Sequence, residues 1–171
     1  MIGLLIQLLI SWLLVWWLER KNLSVLGLAP TTQRLGAFVL YLLIAALCCG
    51  SGFVWRIYFG KEEWGWNPQL NPALIFNGIW WNLKSVLFEE LIFRGVLLYL
   101  LVQRLGAGKA ILISAIGFGI YHWFSQGSWG NPQQMAITFA LTGIMGWVYA
   151  YGYTTYQSLY IPIAIHFGWN F

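Results

Sequence analysis

Six polar side chains stand in strongly hydrophobic surroundings in the second half of the chain: Glu89, Glu90, Arg94, His122, His166 and Asn170. An ionised side chain near the centre of a bilayer costs at least about 2.5 kcal/mol, so these groups call for a reason to be there. Glu90 and Arg94 are spaced i, i+4 on "EELIFR" and can pair on one helix face. Glu89 is turned about 100° away from Glu90 and is left free for other work. Phe118 and His122 repeat the i, i+4 spacing on a second segment, and His166 and Asn170 on a third. A carboxylate with an imidazole can deprotonate a water, and the imidazole can pass the proton to a leaving amine. A second imidazole and a carboxamide can donate hydrogen bonds to a tetrahedral oxyanion. Hydrolysis of a peptide bond is one chemistry this set could support.

The sequence removes most other hydrolytic designs. The chain has no Asp, so a pair of catalytic aspartates is excluded. Neither H-E-x-x-H nor G-x-S-x-G occurs. Ser114 lies eight residues before His122, more than two helical turns away, a poor position for a nucleophile. The only cysteines, Cys48 and Cys49, are adjacent in an apolar run and read as buried thiols, without a zinc-type pattern.

The elements that must position these groups are membrane helices. The 171 residues are 60% hydrophobic and 8% charged, and no Asp, Glu, Lys or Arg occurs from Ala110 to Phe171. So little charge cannot cover a water-exposed surface, and the net charge of +4 marks loops and orientation rather than a nucleic-acid partner. The expected fold is all-α, a polytopic transmembrane bundle of about six segments plus an interfacial one. The segments are Ile2–Leu18, Leu35–Trp55, Ile79–Gln103, Ala110–Phe124, a helix capped by Asn131 with Pro132 in its first turn and running to about Ala150, and an apolar stretch from Leu159. Arg56–Pro72 reads as a loop lying at the interface, and "YGYTTYQS" as a turn. Trp16, Trp17, Trp80 and Trp81 are expected at helix ends. The uncharged start reads as a retained helix rather than a signal peptide. The last segment is too short to span the membrane, so the chain is expected to be truncated at its C-terminus. No repeat or linker interrupts residues 1–171, which read as one transmembrane domain.

Alternating helices place the polar groups at a common depth. Glu89 lies about 15 Å from one face, His122 about 18 Å from the other, and His166 and Asn170 about 10–18 Å from that other face. In a hydrocarbon core about 30 Å thick these depths converge. One inward-facing site is the expectation.

Three motifs, in order and each on a hydrophobic segment, carry a family resemblance. "EELIFR" fits E-E-x-x-x-R, "FGIYH" fits F-x-x-x-H and "HFGWN" fits H-x-x-x-N. Over about residues 84–171 the chain resembles the CPBP family, the CAAX prenyl endopeptidase and bacteriocin-processing group. The resemblance implies an intramembrane glutamic endopeptidase in which Glu89 and His122 activate the water. It implies that His166 and Asn170 form the oxyanion hole, with Glu90 and Arg94 in support. No cofactor is then required. The partners would be a peptide or lipidated protein substrate and membrane lipids, without nucleic acid, in an integral protein of a bacterial plasma membrane. Two other readings stay open. One is a zinc-dependent hydrolase using two His and a Glu. The other is a non-catalytic member that binds a membrane partner as an immunity or scaffold protein.

Overall fold

The computed structural model describes residues 2–170 and is all-helical among them, in the order α1 (Ile2–Glu19), a 3₁₀ turn (Leu23–Leu26), α2 (Thr32–Tyr58), α3 (Pro72–Phe93), α4 (Val96–Leu105), α5 (Ala107–Ser125), α6 (Pro132–Tyr156) and α7 (Tyr160–Trp169). Three helices, α1, α2 and α6, are long and apolar enough to cross a membrane. Their outward faces carry exposed side chains such as Leu5, Leu9, Leu43, Leu47, Leu141 and Ile144. Surface of that kind is stable in lipid and not in water. The six-segment expectation also counted α3 with α4, α5 and α7. These are the helices that carry the polar groups, and α4 and α7 are only 10 residues each.

Local chemistry sets the helix ends. Thr31, Asn71 and Asn131 are N-caps, their side-chain oxygens accepting from the backbone N–H of Arg34, Leu74 and Gln134. Pro72 and Pro132 stand at the first helical position after the two asparagines, where a missing N–H costs nothing. The Asn71–Pro72 start corrects two expectations. Helix α3 begins at Pro72, not Ile79, so Trp80 and Trp81 lie inside it and not at its end. The loop expected at the interface is residues 59–71, its Trp64 and Trp66 exposed.

A single helix over Ile79–Gln103 is also corrected. The chain breaks after Phe93, where the Arg94 N–H closes the last turn on the Glu90 carbonyl at 2.8 Å. Gly95 makes the break, since a Cβ there would lie 2.2 Å from the Leu91 carbonyl oxygen. Helix α6 runs on to Tyr156, through most of the predicted "YGYTTYQS" turn. Gly152 and Tyr153 are buried against the rest of the bundle and hold that last turn. Gln157, at φ 50°, then ends it. Cys48 and Cys49 are free thiols on α2, and Cys48 is exposed, not buried.

Two packings position α7. Its C-terminal half lies on α2 through Gly168, where a Cβ would stand 2.5 Å from the Leu42 carbonyl oxygen. At its start, the loop after the 3₁₀ turn docks on the α6–α7 corner. Leu159 N–H donates to the Leu26 carbonyl and the Ser158 hydroxyl to that of Gly27, both at 3.1 Å. The main core gathers Val15, Leu26, Leu98, Tyr99, Tyr153 and Leu159, and a smaller aromatic core joins Phe93, Phe118 and Tyr149. The aromatic core is the floor of the site.

Candidate active site

Helix α3 delivers three polar groups through its last two turns and its cap. Glu90 and Arg94 are both fully buried. The Arg94 Nη1 donates to Glu90 Oε1 at 3.1 Å, the pairing that the i, i+4 spacing calls for. Its Nη2 donates to the Gly146 carbonyl of α6, also at 3.1 Å. The guanidinium lies over the Phe118 ring, 4.1 Å from its centroid. Gly146 makes room for it, because a Cβ there would stand 3.2 Å from Arg94 Nη2 and 3.0 Å from Phe118. Breaking α3 at Arg94 thus seats a cation in the centre of the bundle. There it is neutralised by one carboxylate, a main-chain oxygen and a ring face.

Two imidazoles come from α5 and α7. His122 Nδ1 is 2.8 Å from the Phe118 carbonyl oxygen, which can only accept, so that nitrogen carries the hydrogen. Its Nε2 lies 3.9 Å from Glu89 Oε2. His166 Nδ1 is 2.7 Å from Glu90 Oε1, and its Nε2 is 3.9 Å from the same Glu89 Oε2. The Tyr149 ring stacks on His166 at 4.6 Å and 17°. Both imidazole Nε2 atoms therefore stand at the same distance from one Glu89 oxygen. The other Glu89 oxygen accepts from the Ser85 hydroxyl at 3.4 Å. Glu89 Oε2 itself is buried and hydrogen-bonded to nothing among the described residues. Glu90 Oε2 and Arg94 Nε share that status among the described residues, and a buried polar atom without a partner is costly and calls for an explanation such as a bound water or a catalytic role.

Glu89, Glu90, Arg94, His122 and His166 are thus brought together. Asn170 stands apart from this contact network. It is exposed at the C-terminal cap of α7 and donates through Nδ2 to Asn82 Oδ1 at 3.2 Å. It shares with His122 and His166 one cavity of about 490 Å³, walled on the α6 side by Gln134, Thr138, Leu141 and Met145. That volume is in the range of ligand pockets, about 300–1,000 Å³.

Sequence reasoning missed four neighbours of the site. Tyr149 and Gly146 lie i, i+3 apart on α6, a helix without a charged residue to draw attention. Ser85 and Asn82 fall four and seven residues before Glu89, on its own helix face, and that spacing was the signal for them. Ser114, judged a poor nucleophile, is buried and donates to the Phe93 carbonyl at 3.2 Å. No group of three or more His, Cys, Asp or Glu among the described residues has the arrangement of a metal site.

The family model described as type II CAAX prenyl endopeptidase, Rce1-like, matches residues 71–171, more than half of the chain. Its start at Asn71 coincides with the cap of α3, so the match takes in every helix that lines the cavity. No curated protein and no solved structure matches the chain.

Proposed function

The chain belongs to the Rce1-like type II CAAX prenyl endopeptidase family, and on that premise we propose that it is an integral-membrane endopeptidase that uses Glu89 and His122 to activate a water. The observation that carries the reading is the buried Glu89 Oε2, without a hydrogen-bond partner among the described residues and 3.9 Å from the Nε2 of His122. A separation of that size is one that a water hydrogen-bonded to both groups spans. With the Nδ1 hydrogen held by the Phe118 carbonyl, His122 Nε2 offers a lone pair to such a water. Glu89 takes the proton as the water oxygen attacks the scissile carbonyl, and the proton then passes to the leaving amine.

His166 and Asn170 are the groups we assign to the oxyanion. The assignment sets a condition on His166. Its Nδ1 faces the Glu90 carboxylate, so Nε2 can donate to an oxyanion only when the ring carries both hydrogens. Glu90 is the counter-charge of that cation, at 2.7 Å. Glu89 and Glu90 against Arg94 and a cationic His166 then sum to zero, the state in which a buried cluster is least costly. Glu90 and Arg94 support the site in this sense, holding His166 in orientation and charge.

The substrate class that fits is a peptide at the membrane, prenylated or otherwise apolar at one end. The cavity beside the imidazoles mixes Gln134 and Thr138, able to bond a peptide backbone, with an apolar wall of Leu141, Ile144 and Met145. Purified protein in detergent is to be incubated with matched peptides, with and without a prenyl group, and the products weighed by mass spectrometry. Cleavage at one bond supports the reading, and faster cleavage of the prenylated peptide supports the substrate class. No cleavage of any membrane-bound peptide by folded protein would overturn it.

A further inference from the structure

Asn170 is the one member of the proposed set whose side chain has no neighbour within the set to hold it. It caps a 10-residue helix and is exposed, and its carboxamide is free to turn unless something outside that helix binds it. Among the described residues the structure shows one such partner. Asn82, half-buried on α3, accepts a hydrogen bond from Asn170 Nδ2 at 3.2 Å.

Three observations argue that this bond orients an amide and does not merely tie α3 to α7. First, α7 is already seated at this end by Gly168 against the Leu42 carbonyl and Ala45 of α2. Second, asparagine is a poor helix former and is costly in an apolar helix, so Asn82 is not there for the sake of α3. Third, Asn170 borders two spaces at once. One is the cavity that holds His122 and His166, and the other is an apolar groove of about 560 Å³ along Leu74, Ile75, Ile79 and Trp81. The amide stands where a chain lying in both would pass.

We infer that Asn82 is a positioning residue, which fixes the Asn170 carboxamide so that its second N–H is presented to the oxyanion. The inference rests on the proposed endopeptidase reading. A carboxamide nitrogen has two hydrogens in one plane, diverging from each other. Giving one to Asn82 Oδ1 sets the plane and aims the other. A donor fixed before the reaction stabilises developing charge without reorganising during it. Asn82, Ser85 and Glu89 then form a single face of α3 that orients two of the proposed reacting groups, since Ser85 holds the other oxygen of Glu89.

The test is steady-state peptide cleavage by Asn82→Leu and Asn82→Asp, each in the wild-type and the Asn170→Ala background, with thermal unfolding measured alongside. Loss of one neutral hydrogen bond predicts a kcat about 10-fold lower for Asn82→Leu, with KM and unfolding temperature unchanged. Asn82→Asp keeps the acceptor and should recover most of the rate. In the Asn170→Ala background Asn82→Leu should cost nothing further. An equal loss in both backgrounds, no rescue by Asp, or a fall in stability that accompanies the fall in turnover would overturn the inference. If the wild type cleaves and Asn82→Leu equals it, this inference alone fails. If the folded wild type cleaves nothing, the endopeptidase reading fails and takes this one with it.

Discussion

Replacing Arg94 with methionine tests the electrostatics of the site most severely. The guanidinium is fully buried and makes hydrogen bonds to Glu90 Oε1 and the Gly146 carbonyl, both at 3.1 Å, while lying over Phe118. Methionine keeps much of the volume and removes the charge. Among the described residues Glu90, also fully buried, is then left with His166 as its one remaining partner, and its second oxygen already has none. Removing one member of a buried pair typically costs about 3–5 kcal/mol, chiefly because the other charge is stranded. For a chain of this length that corresponds to a fall of about 6–20 °C in unfolding temperature. The assay is thermal unfolding in one detergent for wild type, Arg94→Met, Glu90→Gln and the double variant. Arg94→Met should be the least stable, and adding Glu90→Gln should restore part of the loss, because the stranded charge is removed. An Arg94→Met protein as stable as wild type would refute the reasoning. So would a double variant less stable than Arg94→Met by the full cost of Glu90→Gln.

Three further outcomes are expected. Gly95→Ala should destabilise the bundle and lower turnover together, because its Cβ would meet the Leu91 carbonyl oxygen at 2.2 Å and the α3–α4 break would have to move. Thermal unfolding and cleavage measured on the same sample check it. His166→Ala and Asn170→Ala should each lower kcat by roughly 10²–10³ as lost oxyanion donors, and single-turnover kinetics would show whether the fall lies in the chemical step. Treatment with a strong chelator should leave cleavage unchanged if Glu89 and His122 activate the water unaided, and a loss restored by added zinc would overturn that mechanism.

What could be read from sequence divides along physical lines. The long helices α1, α2 and α6 follow from hydropathy, and the start of α6 from its cap at Asn131, whereas the Thr31 cap that starts α2 three residues before Leu35 was not read. The Glu90–Arg94 pair follows from helical spacing alone. The meeting of Glu89 with His122 and His166 was legible as a common depth in the membrane, and the structure places them 3.9 Å apart. Depth says nothing about rotation around a helix axis, however. The Glu90–His166 bond and the Tyr149 stack therefore could not be foreseen. Helix periodicity also ran straight through Arg94 and Gly95, because the residues around them are apolar on both sides. The break there depends on a close approach between Gly95 and Leu91 that no local pattern announces. Asn170 was grouped with His166 by spacing, and its partner Asn82 is 88 residues away in sequence.

The central claim is that Glu89 and His122 act as one water-activating unit, and a double-mutant cycle on turnover tests it most directly. Glu89→Gln, His122→Ala and the combined variant are to be compared with wild type in cleavage of one membrane-anchored peptide, with folding confirmed for each. Residues that act as a unit are strongly non-additive. Each single variant should therefore lose nearly all turnover, and the double should lose little more than either. A Glu89→Gln protein that still cleaves, or two losses that multiply in the double variant, would contradict the account.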